Sequence, residues 1–565
     1  MKKLAIAFIW NQHQPFYQDT EREEYIMPWA RLHAIKDYYS MVALLESFPA
    51  IRQTFNLTPS LLEQIEHYLS GSRDYYQQVL KPAEQLSSVE KRFLLHHYFD
   101  IHWEKVIGLY PRYRELLELQ GRVREPGEIE AATRRFKARD YQDLMVWFNL
   151  CWIDPLIRRE NPYLQELEEK GEDFSPEDCR RLLAEQLDIL RRIVPVHRSL
   201  QEKGQVEVIT TPFYHPILPL IIDNHSALRA CPELPLPQRF QWPADASIQT
   251  ELSVHQYRRL FNCPPRGIWP SEQAVSPESI PIFTEQGFHW TVSDEQILAR
   301  SLKQEINRDG YGHVLNGDTL YRPYLVKGAG QEMVMVFRDH YLSNRIGFEY
   351  QHFRPEDAAA DLVHRLHKIA ENLDWSGEEH LVTISLDGEN AWEWYTGDKG
   401  PFLTDLYRRL SEDRVLETVT VSDYLAKNPP RRQINELFTG SWVDHSLTRW
   451  IGTENKNRLW NYLLQAREMV ESYSQEPDHD QKKLERALRN IYIAEGSDYP
   501  WWIDSMPYHL ASPFEILFRQ HLVNVYHAIG TSPPEHLKRP ILPVQKEESP
   551  IYSPAGPVSM VPNSE

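Results

Sequence analysis

The feature that most constrains the fold of this 565-residue chain is a recurring short run of apolar, β-prone residues. The runs are continuously apolar rather than alternating, as expected for strands buried on both faces of a parallel sheet. Each run ends in turn-forming or polar residues, among them His, Asp, Glu, Trp and Arg. The runs occupy residues 4–10, 51–56, 206–210, 267–269, 289–292, 333–337 and 381–386.

Helical patterns separate several of these runs, and strands that alternate with helices favour an α/β fold built as a β/α barrel. In such barrels the side chains that follow the carboxyl ends of the strands form the active site. Because nearly every run leads into ionisable or aromatic residues, the sequence predicts chemistry at one barrel mouth.

Longer stretches with helical periodicity lie outside this strand pattern. We predict a catalytic barrel over residues 1–400 that includes a helical insertion at about 61–200, followed by a helical domain over residues 401–530. Residues 531–565 are rich in Pro and Ser without periodicity, which predicts a disordered tail.

Charge narrows the range of partners. The chain has 62 basic and 81 acidic residues, a formal net charge of −19. This balance argues against a general binder of nucleic acid or anionic membrane, because both functions need a basic surface. We therefore expect neither partner.

The cysteines and the first residues of the chain indicate in which cellular compartment the protein is expected. Cys151, Cys179, Cys231 and Cys263 are widely spaced, which argues against a disulfide framework or a cysteine-bound zinc. The apolar stretch at residues 4–10 is too short for a secretory signal and has no small-residue cleavage site. We predict a cytoplasmic protein without a membrane span, since no apolar run approaches the roughly 20 residues that a span requires.

Two carboxylates follow different strand-like runs. Glu272 lies beside Trp269 and is suited to attack an anomeric carbon, although an acid behind a Ser271 cap would also suit a helix start. Asp339 could protonate a glycosidic oxygen, or it could form an ion pair with Arg338 or Arg345. Two carboxylates that converge at one mouth are what glycoside hydrolysis requires.

Histidines and further acids follow other runs. His13 and His215 could hydrogen-bond substrate hydroxyls, or bind a metal such as zinc together with an aspartate. No His-Glu-x-x-His pattern occurs, so we predict no metal site and no cofactor. Asp387 and Glu389 could bind sugar hydroxyls, or the Asp-Gly pair could simply form a turn.

Taken in order, five stretches of the sequence resemble the five sequence regions of glycoside hydrolase family 57. The resemblance spans about residues 4–530. The stretches are His13-Gln14-Pro15, Tyr214-His215-Pro216, Gly267 to Glu272, Phe337 to His340, and Asp387 to Asn390.

The resemblance implies an incomplete (β/α)7 barrel with a helical C-terminal region, and a retaining mechanism on α-glucans. It implies that Glu272 is the nucleophile and that Asp339 is the general acid/base. The predicted substrate-binding residues are His13, Gln14, His215, Trp269, Arg338, His340, Asp387, Glu389 and Trp392.

Within the family, the stretch from His13 to Tyr17 resembles the amylopullulanase and α-amylase-like group. This resemblance implies a hydrolase that acts on starch, glycogen or maltodextrin. The alternatives are a 4-α-glucanotransferase or branching enzyme of the same family, a non-catalytic glucan-binding protein, and a metal-dependent hydrolase on a related barrel. The sequence leaves the oligomeric state open.

Overall fold

The structure is a computed structural model that describes residues 3–122 and 126–542. At its centre lies a barrel of parallel strands, and the apolar runs of the sequence supply them. Together with a separate antiparallel pair formed by β2 and β3, the strands of the described residues are β1 (Leu4–Gln12), β2 (Gln18–Asp19), β3 (Glu24–Tyr25), β4 (Gln53–Leu57), β5 (Val206–Ile209), β6 (Gly267–Ile268), β7 (Trp290–Asp294), β8 (Tyr324–Gly328), β9 (Gln331–Arg338), β10 (Leu381–Asp387), β11 (Leu416–Thr418) and β12 (Arg432–Ile434).

The predicted α/β fold with a (β/α)7 barrel is confirmed. Strands β1, β4, β5, β6, β7, β9 and β10 follow one another around the barrel, all in parallel. Strand β1 is buried along its whole length, as its continuous apolar run predicts. Strand pairing is short at two places in the barrel. Strand β5 reaches β6 through the single Thr210–Ile268 bridge, and β9 pairs with β10 only at Arg338 and Thr383.

The sheet extends beyond residue 400, where the barrel was predicted to end. Strand β11 pairs with β1, and β12 pairs with β8, which runs antiparallel to β9. Strands β11 and β12 have only three residues each, too few to produce a recognisable apolar run in the sequence.

Helices surround the barrel. Those that precede β5 include the long insertion between β4 and β5. They are α1 (Trp29–His33), α2 (Tyr39–Ala43), α3 (Pro59–Leu69), α4 (Tyr75–Gln78), α5 (Ser88–His97), α6 (Pro111–Gln120), α7 (Pro126–Arg135), α8 (Ala138–Cys151), α9 (Pro155–Glu160), α10 (Pro162–Lys170) and α11 (Pro176–Glu202).

The remaining helices connect the later strands and form the C-terminal region. They are α12 (Leu218–Ile222), α13 (Pro243–Phe261), α14 (Ser279–Glu285), α15 (Glu295–Leu302), α16 (Gly317–Leu320), α17 (His340–Asn344), α18 (Pro355–Leu373), α19 (Lys399–Glu412), α20 (Val421–Lys427), α21 (Glu454–Ser474), α22 (Gln481–Ala494), α23 (Asp498–Trp502) and α24 (Tyr508–Ala528). Within the described ranges, no helix is both long and apolar enough to cross a bilayer.

The C-terminal helices reach the barrel mouth. Gly496, between α22 and α23, forms an antiparallel bridge with Pro216 after β5. Beyond α24 the chain stays packed to the end of the described residues, because Leu537, Ile541 and Leu542 are buried. The predicted tail over residues 531–565 is thus packed as far as residue 542, and the rest of it lies outside the described residues.

Candidate active site

The carboxyl ends of the barrel strands bring polar side chains from distant parts of the sequence to one level. In the parallel register, Asn11 lies opposite Asp387 on one side and Asn56 on the other. The amide of Asn56 donates to Asn11 at 2.7 Å, and the amide of Asn11 donates to Asp387 at 2.9 Å. This hydrogen-bonded row forms one wall of the mouth.

Glu272 lies after β6 in a tight turn, and its backbone is left-handed with φ of 55°. It is not the acid of a regular helix behind a Ser271 cap, which was the structural alternative. The indole N–H of Trp442 donates to its Oε2 at 2.8 Å. Burial, reinforced by the charge of Asp387, raises the pKa of Glu272 to about 8, although Trp442 and His13 both act to lower it.

Asp339 follows β9 and is almost fully buried. Its Oδ1 accepts from the Leu342 backbone N–H at 2.9 Å and from Arg308 at 3.1 Å, while its Oδ2 accepts from the Tyr321 hydroxyl at 2.7 Å. Both oxygens of the carboxyl group are thus held in fixed positions.

The alternative interpretation of Asp339, an ion pair with a neighbouring arginine, named the wrong partners. Arg338 lies 3.5 Å from Asp294, and Arg345 pairs with Asp361 at 3.0 Å. The arginine that does reach Asp339 is Arg308, which comes from the loop between α15 and α16. Sequence proximity is a poor guide here, because Asp339 begins the turn into α17 and its arginine partner comes from a different loop.

A second carboxylate, Glu295, lies next to Asp339. Asp294 and Arg338 are paired in register as the last residues of β7 and β9, so Glu295 and Asp339 are the first residues beyond the two strands. Burial, together with the charge of Asp339, raises the pKa of Glu295, and Arg308 opposes that rise.

His13 and His215 form a stacked pair whose ring centroids lie 3.7 Å apart. Nε2 of His13 is 2.8 Å from Asp498, and Nδ1 of His215 is 2.8 Å from the Ser497 hydroxyl. Burial disfavours the charged form of His13, but the Asp498 carboxylate outweighs it and raises the pKa of His13. Burial and the charge on His13 lower the pKa of His215 well below its usual value.

These groups offer a geometry that a metal ion could use. One atom from each of His13, His215 and Asp498 lies within 4.8 Å of the others. However, Nε2 of His13 hydrogen-bonds Asp498, and Nδ1 of His215 hydrogen-bonds Ser497, so each ring already uses one nitrogen in a protein contact. The contacts therefore favour a histidine–carboxylate pair stacked on a neutral histidine.

Arg338 connects the two carboxylate regions of the mouth. Its guanidinium lies over the ring of Trp442, 4.9 Å from the centroid, and donates to Asn344 at 2.9 Å. Trp442 faces Glu272 through its indole N–H and Arg338 through its ring face. His340 lies on the other side of Asp294, with Nδ1 3.2 Å from that carboxylate.

Some of the predicted substrate-binding residues have protein partners instead. Gln14 donates to the Tyr38 hydroxyl at 3.1 Å and accepts from the Tyr17 hydroxyl at 2.9 Å, so it supports the loop behind His13. Trp392 is fully buried against Trp10, and its indole N–H donates to the Gly388 carbonyl. These contacts place Trp392 in the core. Its position after a strand in the sequence does not show which way its ring points.

Trp269 and Glu389 are also enclosed, yet they keep polar atoms unused. The Trp269 indole N–H and the Glu389 Oε2 have no hydrogen-bond partner within the described part of the chain. Trp269 packs edge to face on Trp442 at 5.3 Å. Burial and the charge of Asp387 raise the pKa of Glu389 well above its usual value.

The structure brings in residues that the sequence interpretation missed. Glu295 directly follows the predicted strand end Ser293-Asp294 and could have been found there. The others lie in loops or helices without strand periodicity, so a search of strand ends does not select them. They are Arg308, Tyr321, Trp442, Ser497 and Asp498.

Comparison with known proteins decides the family. A sequence model described as glycosyl hydrolase family 57 matches residues 7–435. The chain belongs to glycosyl hydrolase family 57. The match ends just after β12, at the last strand of the barrel sheet.

Proteins named for different activities on α-glucans are similar to this chain. A 1,4-α-glucan branching enzyme of Thermococcus kodakarensis is 26% identical over 54% of this chain and 51% of its own length. An α-amylase of Pyrococcus furiosus is 24% identical over 41% of this chain and 30% of its length. A 4-α-glucanotransferase of Thermococcus kodakarensis is 24% identical over 44% of this chain and 30% of its own length. The matched part of this chain therefore spans at most about half the length of these relatives.

A solved structure agrees with the fold. The crystal structure of a family 57 branching enzyme from Thermococcus kodakaraensis superposes with a TM-score of 0.59 at 17% identity, covering 94% of this chain and 90% of the other. At this identity the likeness shows the fold and not the specificity.

Proposed function

We propose that this family 57 protein is a retaining glycosidase-type enzyme that acts on α-glucans, with Glu272 as nucleophile and Asp339 as general acid/base. The observation that carries the proposal is the environment of Glu272: a buried strand-end carboxylate with one oxygen fixed by Trp442 at 2.8 Å. A fixed carboxylate at the mouth is what attack on an anomeric carbon requires.

The proposed reaction has two steps. In the first, the carboxylate of Glu272 bonds to the anomeric carbon, the glycosidic bond breaks, and Asp339 gives a proton to the departing oxygen. In the second, water or a sugar hydroxyl gives a proton to Asp339 and attacks the anomeric carbon, which releases Glu272. The Tyr321 hydroxyl and the Leu342 N–H hold Asp339 in place for both transfers.

The other polar groups of the mouth fit a sugar ring. Nδ1 of His13, Nε2 of His215 and Glu389 Oε2 are buried and without partners in the described ranges, so they are available to hydroxyl groups. We propose His13, His215, Arg338, Asp387 and Glu389 as the residues that bind the sugar at the cleaved bond.

We propose hydrolysis of the α-amylase or amylopullulanase type as the outcome of the second step. Glycosyl transfer is the alternative. It is supported by the branching enzyme, whose match covers more of this chain than the match to the α-amylase does. Both outcomes share the first step, so only the acceptor distinguishes them.

The test is a chromatographic product profile from amylose and from pullulan, with wild type and Glu272→Ala in parallel. We expect shorter oligosaccharides from the wild type, and a loss of at least about 10³-fold in Glu272→Ala, the scale on which removal of a nucleophile acts. Glu436→Ala, at an exposed ion pair with Lys303, is the control and should match the wild type.

Other results lead to different conclusions. Longer or branched products favour the transferase alternative, and cleavage of pullulan identifies α-1,6 activity. Full activity of Glu272→Ala removes Glu272 as nucleophile. Products whose anomeric configuration is inverted, observed by NMR in the first minutes of reaction, contradict the retaining mechanism.

A further inference from the structure

Glu295 and Asp339 form a buried carboxylate pair bridged by one arginine. The same guanidinium nitrogen of Arg308 donates to both Oε2 of Glu295 and Oδ1 of Asp339, the latter at 3.1 Å. Glu295 is 3% exposed and Asp339 is 1% exposed, so water screens this arrangement little.

The backbone also ties the two carboxylates together. The His340 N–H donates to Oε2 of Glu295 at 3.0 Å, and the Leu342 N–H donates to Oδ1 of Asp339 at 2.9 Å. Both donors come from the segment that begins α17, so the distance between the two carboxyl groups is fixed by rigid backbone and not by flexible side chains.

The charges that face Glu295 come from several elements. Arg308 comes from the α15–α16 loop, Asp339 follows β9, and Asp294 ends β7. Arg338 of β9 and Tyr321 after α16 also interact electrostatically with Glu295. Of these groups, only Arg308 contacts both carboxylates directly.

An acid catalyst must hold a proton before the reaction and accept one after it. An arginine paired with Asp339 alone would favour the carboxylate and deplete the acid form. We propose that Glu295 controls the protonation of Asp339 by taking a share of the Arg308 charge, which would otherwise act on Asp339 alone. This inference rests on the proposed function and adds a residue that acts through Asp339.

The proton balance of the reaction is unchanged by this role. Asp339 gives its proton to the departing oxygen in the first step and regains one from water or the acceptor in the second. Glu295 takes no part in the bond changes and only sets how readily Asp339 holds its proton.

The experiment compares two substrates in wild type and Glu295→Gln across pH. A maltooligosaccharide needs acid catalysis to expel a sugar, whereas α-maltosyl fluoride needs little because fluoride leaves readily. For the maltooligosaccharide we expect the alkaline limb of kcat/KM to move to lower pH by about one unit in Glu295→Gln, so that kcat/KM falls about tenfold at pH values above that limb. For the fluoride, we expect both proteins to agree within about twofold.

Two further variants test the cause. Glu295→Asp keeps a carboxylate, and its alkaline limb should lie close to that of the wild type. In an Arg308→Gln background, adding Glu295→Gln should move the limb far less than it does alone, since there is no longer an arginine charge to share. Glu436→Gln is the exposed control and should leave both profiles unchanged.

The outcomes separate the inference from the proposed function. If the wild type turns over neither substrate, both the proposed function and this inference are wrong. An active wild type with an unchanged limb in Glu295→Gln overturns the inference alone. An equal loss on both substrates in Glu295→Gln, without movement of the limb, also overturns it, because that loss reports a structural role.

Discussion

At the scale of single residues, the ionisation of Glu272 decides when the proposed nucleophile can react. Only the carboxylate attacks a carbon, and a pKa of about 8 means that the group is mostly protonated at neutral pH. Burial and the charge of Asp387 raise this pKa, while the Trp442 indole and His13 lower it. The acidic limb of kcat/KM should therefore report Glu272 and respond to each of these neighbours in a known direction.

Replacing Trp442 by Phe removes a hydrogen bond that stabilises the Glu272 carboxylate. The pKa of Glu272 should rise above about 8, and the acidic limb of kcat/KM should move to higher pH by about one unit. Trp375→Phe, at a side chain that is 76% exposed, is the control. A limb that stays in place would show that Glu272 does not govern it.

Replacing Asp387 by Asn removes a negative charge that faces Glu272. This change should lower the pKa of Glu272, and the acidic limb should move to lower pH, opposite to the effect of Trp442→Phe. The same assay measures it. If the acidic limb moved in the same direction in Trp442→Phe and Asp387→Asn, the electrostatic explanation would be contradicted, because a general loss of packing at the site would shift both limbs alike.

At the scale of elements, the loop that carries Arg308 depends on a glycine. Gly312 has φ of +85°, and a Cβ there would lie 2.3 Å from the Tyr341 ring. Its carbonyl also accepts from Arg308 at 3.0 Å. The loop therefore fits against α17 only without a side chain at this position.

Gly312→Ala should destabilise the protein more than Gly330→Ala does. Both residues have similar positive φ, but a Cβ at Gly330 meets nothing within 4 Å. Each variant has the backbone strain of about 1–2 kcal/mol, and Gly312→Ala adds overpacking of about 1–3 kcal/mol. Denaturant unfolding measures the difference, and equal losses would show that Tyr341 moves aside without cost.

The elements also show what the sequence could predict. Continuous apolar runs identified the seven barrel strands, because burial on both faces leaves a local signal. Glu272 and Asp339 were found since they follow such runs. Arg308, Trp442 and Asp498 were not, because they reach the mouth from loops and a helix whose placement depends on contacts far along the chain.

At the scale of the whole molecule, the segment after α24 contributes to stability. Leu537, Ile541 and Leu542 are buried, and the Ile541 N–H donates to Glu515 at 2.7 Å. Burial of each such side chain stabilises a protein by about 1.5–3 kcal/mol.

A chain that ends at Gly530 should therefore be less stable than one that ends at Leu542. We expect its melting midpoint to be lower by roughly 2 °C or more, measured by calorimetry at one scan rate. The chain that ends at Leu542 is the matched control, as it keeps all described contacts. Equal midpoints would mean that these residues pack without contributing stability.

The pair formed by His13 and Asp498 joins residues 485 positions apart. A ribosome that adds about 5–20 residues per second needs roughly 25 to 100 s to make the second partner after the first. During that interval of translation, His13 lacks its partner Asp498 and His215 lacks its partner Ser497. A nascent chain in which residue 498 has not yet been made therefore lacks the histidine–carboxylate pair of the barrel mouth.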